Sequence, residues 1–218
     1  MKISRAVIGG LALATLLALP ALAQDASQEM GKEKPALAQG GDSGHGMSAA
    51  DMKAMEEAMT KAAAPGEHHK AMGRYVGDWT FTNTMWMDPS QPPMKSDGTV
   101  HSEWMLGNRY LHQVYKGSFG GQPFEGHSID GYDNVSGKYV SSWVDNMGTG
   151  IMSSTGTCDA AHKVCTMMSE GLDPMGNHQT TKMVTTWTGD DRYQMEMFMV
   201  DPAGKETRTM LIEAKKKN

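Results

Sequence analysis

An all-β, antiparallel up-and-down barrel of about ten strands is the fold class this sequence predicts, preceded by an export leader, a disordered tether and one or two short helices. Three observations carry the prediction. From about residue 78 onward apolar and polar residues alternate with period two. Turn-forming clusters interrupt that alternation at short intervals. Closing so long a meander on itself removes the unpaired edges that it would otherwise expose.

The elements follow in chain order. Lys2 and Arg5 supply a positive start, residues 6–19 an apolar stretch, and Ala21-Leu22-Ala23 the small-x-small pattern read by a signal peptidase, so residues 1–23 are expected to be a cleaved signal peptide. The stretch is short for a membrane span. No cysteine lies near the cleavage point to take a lipid, so no membrane anchor is expected after cleavage and the mature protein is placed in the periplasm or outside the cell. Residues 24–47 are polar and glycine-rich, with Gly40-Gly41-Asp42-Ser43-Gly44-His45-Gly46 at their centre, and read as a disordered linker. Over 48–64 an amphipathic helix is expected, because Ser48 and Asp51 form a capping-box-like start, Met52, Met55 and Met59 share a face, and Pro65-Gly66 ends it. A second helical stretch spans about 67–75.

Residues 65–218 form the expected barrel domain, with strands near 78–87, 97–106, 109–117, 124–133, 138–146, 150–158, 164–171, 179–188, 191–200 and 205–214. The breaks between them carry turn residues, among them the segment from Asp88-Pro89 to Asp97-Gly98, Gly107-Asn108, Gly120-Gly121, Gly189-Asp190 and the segment 201–204. In the first strand Trp79, Phe81, Met85 and Met87 share one face; in the ninth Tyr193, Met195, Met197 and Met199 do the same. That Met- and aromatic-lined face is the barrel interior. Methionine is abundant, 21 residues in 218, and its flexible thioether suits a soft core or pocket lining.

Two cysteines, Cys158 and Cys165, flank a short polar loop between two strands, and in an exported chain they are expected to form a disulfide stapling one hairpin. The formal net charge of -5 becomes about -7 once the leader is removed. Nucleic acid is therefore excluded as a partner, since a polyanion needs clustered Lys and Arg and the only run is Lys215-Lys216-Lys217. Nothing in the sequence specifies an oligomeric state.

The run Pro65-Gly66-Glu67-His68-His69, then Gly77-Asp78-Trp79, Gly107-Asn108-Arg109, Phe124-Glu125-Gly126, Gly131-Tyr132-Asp133-Asn134 and Trp143-Val144-Asp145, resembles a bacterial domain-of-unknown-function family, number 1579. The resemblance runs from about residue 65 to the C-terminus and implies a lipocalin-like barrel. Gly77-x-Trp79 is similar to the Gly-x-Trp that opens the first lipocalin strand. The chain departs from the family at Asn108, where a second Gly is expected, and at Ala214 and Lys216, where Tyr and Arg tend to close the last strand. In lipocalins a basic side chain near that point packs over the Trp ring. The family carries no established activity.

A barrel of this kind encloses a cavity, and inward polar residues would fix a ligand. Glu103, Arg109, Gln113, Glu125, His127, Trp143 and Asp145 are the candidate ligand-binding residues, strand-borne and set among aromatic or apolar neighbours. Trp143 and Asp145 share a face by the two-residue repeat. Arg109 is expected to meet them at one cavity wall and to hold an acidic ligand by a charge-assisted pair; the alternative for each residue is an internal salt bridge or a solvent-facing position. His68-His69 reads as a capping or packing pair, since neighbours on a helix diverge. His45, Met47 and the Met-x-Met repeats raise copper(I), but alternating Met along strands is the pattern of a core, and neither a metal nor another cofactor is expected. No Gly-x-Ser-x-Gly, His-Glu-x-x-His or phosphate-binding glycine loop occurs. The leading expectation is an exported protein binding a small, partly apolar ligand inside the barrel, with a hydrolase or isomerase using the same cavity as the alternative and a periplasmic copper-binding protein as the third reading.

Overall fold

The structure, a computed structural model, describes residues 47–88 and 90–217. The signal peptide and the tether up to residue 46 lie outside the described residues. Helix α1 (Ala49–Ala63) opens with a capping box in which Ser48 Oγ accepts from the Asp51 backbone N–H at 3.1 Å and the Asp51 carboxylate accepts from Ser48 N–H at 3.2 Å. None of its residues is buried. Its C-terminal carbonyls are held from elsewhere: Asn134 Nδ2 donates to Ala62 and Ala64 O at 3.0 and 2.8 Å, and Arg109 Nε to Ala63 O at 3.0 Å. These bonds satisfy groups that a helix end leaves without intrahelical partners. Helix α2 (Glu67–Met72) and a 3-10 turn, Gly73–Tyr75, lead into the sheet.

Ten strands follow: β1 (Gly77–Met85), β2 (Met94–Met105), β3 (Tyr110–Phe119), β4 (Gln122–Asp133), β5 (Lys138–Asp145), β6 (Met152–Cys158), β7 (Val164–Leu172), β8 (His178–Gly189), β9 (Arg192–Val200) and β10 (Glu206–Lys216). Every strand pairs antiparallel with its sequence neighbours, and β1 pairs with β10 to close the barrel. Tight turns hold the register. Leu106, Gly107 and Asn108 all have positive φ (49°, 66° and 63°), so the turn between β2 and β3 needs residues that accept the left-handed region. Asn does so more readily than most side chains, which lets Asn108 occupy the place of the family's glycine.

Alternation sends Trp79, Phe81 and Asn83 of β1 inward together with Val100, Leu111, Trp187, Tyr193, Ile212 and Ala214. Trp79, 1% exposed, is the centre of this core. Its ring meets Tyr193 edge-on at 5.2 Å, and its Nε1 donates to Tyr75 O at 2.7 Å, tying the 3-10 turn to the barrel. Lys216 Nζ stands 5.4 Å from the Trp79 ring centroid, so Lys serves where the family tends to carry Arg. Two inward assignments change. Met87 lies beyond the end of β1 and is exposed, and Met199, near the open end of β9, is also exposed.

Close approach explains two glycines. Phe81 lies across Gly98, and the Trp143 indole lies across Gly126, so that a Cβ at either position would enter the facing ring. Cys158 and Cys165 are directly opposed on β6 and β7 and form a disulfide. No described helix is long and apolar enough to cross a membrane.

Candidate functional site

The barrel holds a cavity of about 840 Å³, within the range of small-molecule sites. Its apolar wall is largely methionine and aromatic, with Met183, Met195, Met197 and Met210 facing Phe124 and Trp143. Met72 of α2 and Tyr75 of the 3-10 turn contribute to one end, here called the closed end. The opposite mouth is bordered by Met147, Ile151 and Leu172, all exposed.

A polar network crosses the wall on adjacent strands. Ser102 Oγ on β2 donates to Gln113 Oε1 on β3 at 2.8 Å. Gln113 Nε2 donates to Asp130 Oδ2 on β4 at 2.7 Å, and Ser128 Oγ donates to the same oxygen at 2.6 Å. Ser102, Gln113 and Ser128 are buried, which is tolerable because each is hydrogen-bonded. Three tyrosines line the same cavity and feel this carboxylate's charge. Burial first, then the Tyr193 hydroxyl and the Asp130 charge, push Tyr115 well above its ordinary value. Tyr75 and Tyr193 are raised as well, again chiefly by burial, with the Asp130 charge adding to it. All three remain neutral phenols at physiological pH. Tyr139, another lining residue, is pushed up to about 12 by burial and by its neighbour Tyr132.

At the closed end His68 stacks on Tyr132 at 3.9 Å, with its Nδ1 3.2 Å from the Tyr139 hydroxyl and 3.0 Å from His162 Nε2. His69 is buried, and its Nδ1 accepts from Gly66 N–H at 3.1 Å, capping α2. Burial holds its imidazole below the ordinary value; a backbone hydrogen bond to Tyr132 opposes this, and the His68 and Arg109 charges assist it.

Three of the sequence candidates line the cavity: Gln113, Trp143 and Asp145. Trp143 Nε1 donates to Asp145 Oδ2 at 2.7 Å, so these two form a unit near the mouth. The other four do not. Glu103, Glu125 and His127 point outward in a surface chain in which His112 Nδ1 lies 3.8 Å from Glu103, His112 Nε2 3.1 Å from His127 Nδ1, and His127 Nε2 3.0 Å from Glu125. His127, then Lys116 at 3.3 Å, hold the Glu125 carboxyl below its usual range. Arg109 lies at the β2–β3 turn, where it donates to Ala63 O and Leu106 O. It does not meet Trp143 and Asp145 at a cavity wall, and the acidic-ligand role assigned to it is corrected to that of a tie between α1 and the barrel.

The physical reason is register. The two-residue Gly120-Gly121 turn pairs Phe119 with Gln122, which sets Gln113 opposite Ser128. Gln113 also faces Ser102 across β2, so its inward position forces Ser102 and Ser128 inward and Glu103, His127 and Glu125 outward. Carried two residues further along β4, the same register would have found Asp130, the residue sequence reading missed. Among the described residues no group of three or more His, Cys, Asp or Glu converges as a metal site.

The fold defines a closed ten-stranded antiparallel barrel with a helical segment at one end and an apolar cavity inside. The chain belongs to the family described as proteins of unknown function, DUF1579, whose model matches residues 64–216. Among solved structures it is similar to Rv2717c from M. tuberculosis, with a TM-score of 0.52 at 12% identity over 71% of this chain and 100% of that one. It also matches the S-type phycobiliprotein lyase CPES from Guillardia theta (TM-score 0.48, 8% identity, 73% and 97% covered) and a redesigned β-barrel (TM-score 0.36, 14% identity, 68% and 96% covered). At such identities the likeness to Rv2717c speaks for the fold alone. No curated protein matches the chain.

Proposed function

We propose that this is an exported binding protein that holds a small, partly apolar molecule inside its barrel. The observation that carries the reading is the cavity of about 840 Å³ with a methionine and aromatic wall and a hydrogen-bonded polar network on one side. Such a space buries most of a small ligand's apolar surface, at roughly 25 cal/mol per Å² removed from water, while a few polar groups set its orientation. Methionine lets the wall adapt to the shape it receives. Export is supported by the leader pattern over residues 1–23 and by the Cys158–Cys165 disulfide, which persists in oxidising compartments.

Native mass spectrometry of the protein purified from its own cell envelope tests both parts. The expected result is an N-terminus at Gln24 and an organic mass that leaves on denaturation. A chain that begins at Met1 overturns export. A chain with no bound mass, whose melting temperature is unmoved by any member of a panel of apolar amphiphiles, overturns binding.

A further inference from the structure

We infer that the ligand's polar end is an organic cation, an alkyl- or arylalkylammonium group, and that it pairs with the Asp130 carboxylate in the cavity that Tyr75, Tyr115 and Tyr193 also line. The inference rests on the cavity-binding reading above and names the ligand class. Among the described residues, the charged side chains lining the cavity are Asp130, Asp145 and Glu170, with no Lys, Arg or His beside them. An acidic ligand entering this space would meet only like charge.

Asp130 is held by two neutral donors, Gln113 Nε2 and Ser128 Oγ, and both reach the same oxygen, Oδ2. No described Lys, Arg or His forms an ion pair with it. Charges inside proteins are ordinarily paired, because removing one from water without a counter-ion is costly. The network thus fixes the carboxylate in place and leaves its charge to be matched by something that is not part of the chain.

The rings complete the argument. The Tyr75 and Tyr193 centroids lie 5.4 Å apart, and all three tyrosines line the cavity. Asp130 and the three tyrosines line one cavity, and a carboxylate with aromatic rings in the same desolvated space suits an ammonium. The methionine wall then receives the apolar body.

Three matched probes test this on the mature chain at neutral pH by calorimetric titration: a naphthylalkyl ammonium, the corresponding alcohol and the corresponding carboxylate. The ammonium should bind at least about tenfold tighter than the alcohol, the margin of one charge-assisted hydrogen bond, and the carboxylate most weakly. Asp130→Asn should erase the ammonium's advantage and leave the alcohol's affinity within about twofold. Equal affinities, or a carboxylate that binds best, overturn the cation assignment while the cavity reading stands. An ammonium preference that survives in Asp130→Asn overturns the assignment to this residue. If none of the probes binds, the cation assignment falls, and the cavity reading is decided separately by the native mass measurement. The wild-type ranking decides the ligand class on its own should the variant unfold.

Discussion

Gln113 is the hinge of the interior network, and Gln113→Leu measures what the network contributes. The substitution nearly conserves volume but removes the acceptor of Ser102 Oγ and one of the two donors to Asp130 Oδ2. Ser102, 1% exposed, is then left with an unmet hydroxyl at a cost of about 1–3 kcal/mol. The lost bond to a carboxylate is worth about 1.5–3 kcal/mol, reduced here because Ser128 still donates and the half-buried Asp130 can recruit water. Added burial of the leucine returns roughly 1 kcal/mol. The net expectation is a loss of about 3 kcal/mol, or a melting temperature lower by about 6–12 °C for a domain of this size. Urea unfolding followed by tryptophan emission reads the loss as a lower midpoint at unchanged slope. Adding Ser102→Ala should recover about 1 kcal/mol, since removing both partners is cheaper than removing one. A loss under about 1 kcal/mol, with no recovery in the double variant, would show that water satisfies these groups and that the network holds nothing in place.

Gly126→Ala places a methyl group in the Trp143 ring and should cost about 1–3 kcal/mol while shifting indole emission, read by fluorescence during thermal unfolding; an unchanged spectrum and melting point refute the close packing. Because burial lowers the His69 pKa in the folded state, that state binds fewer protons than the unfolded chain, so the stability His69 contributes is complete above pH 6.5 and is lost as pH falls toward the folded value. The slope contributed there is at most about 1.4 kcal/mol per pH unit, and His69→Gln, which can still accept from Gly66 N–H, should flatten it in denaturant titrations between pH 7 and 5; identical slopes for the two proteins contradict the assignment. Cys158→Ser should lower stability by at most about 2.5 kcal/mol and leave the barrel's circular dichroism intact, because the bridge closes only a short hairpin. Alkylation of the unreduced wild-type protein should add no mass, and two added labels would exclude the disulfide.

The barrel was legible because it rests on local signals. Period two in β1 and β9, turn residues between strands and opposed cysteines at a hairpin all act over a few residues. The site is a different kind of object. Trp143 and Asp145 were found because they are two apart on one strand, and a strand keeps its own parity. Glu103, Glu125 and His127 were misplaced because parity must be carried through a turn, and a shift of one residue reverses every side chain beyond it. Arg109 was misread because its partners, the carbonyls at the end of α1, are backbone atoms with no signature in the side-chain sequence. Asp130 and the tyrosines that line its cavity come from a 3-10 turn and three separate strands, and only closure assembles them.

That closure has a kinetic side. Nine of the ten strand pairings join consecutive strands, while the seam between β1 and β10, from Trp79 opposite Lys216 to Met85 opposite Met210, joins opposite ends of the domain. Its loop entropy must be overcome before its contacts give anything back. Trp79 and Phe81 on one side of the seam and Ile212 and Ala214 on the other belong to the main core cluster, so the largest apolar burial arrives together with the least local pairing. A chain that becomes available from its N-terminus onward can therefore form hairpins early but cannot complete its core until β10 is available, and until then it carries two open sheet edges able to pair with other chains.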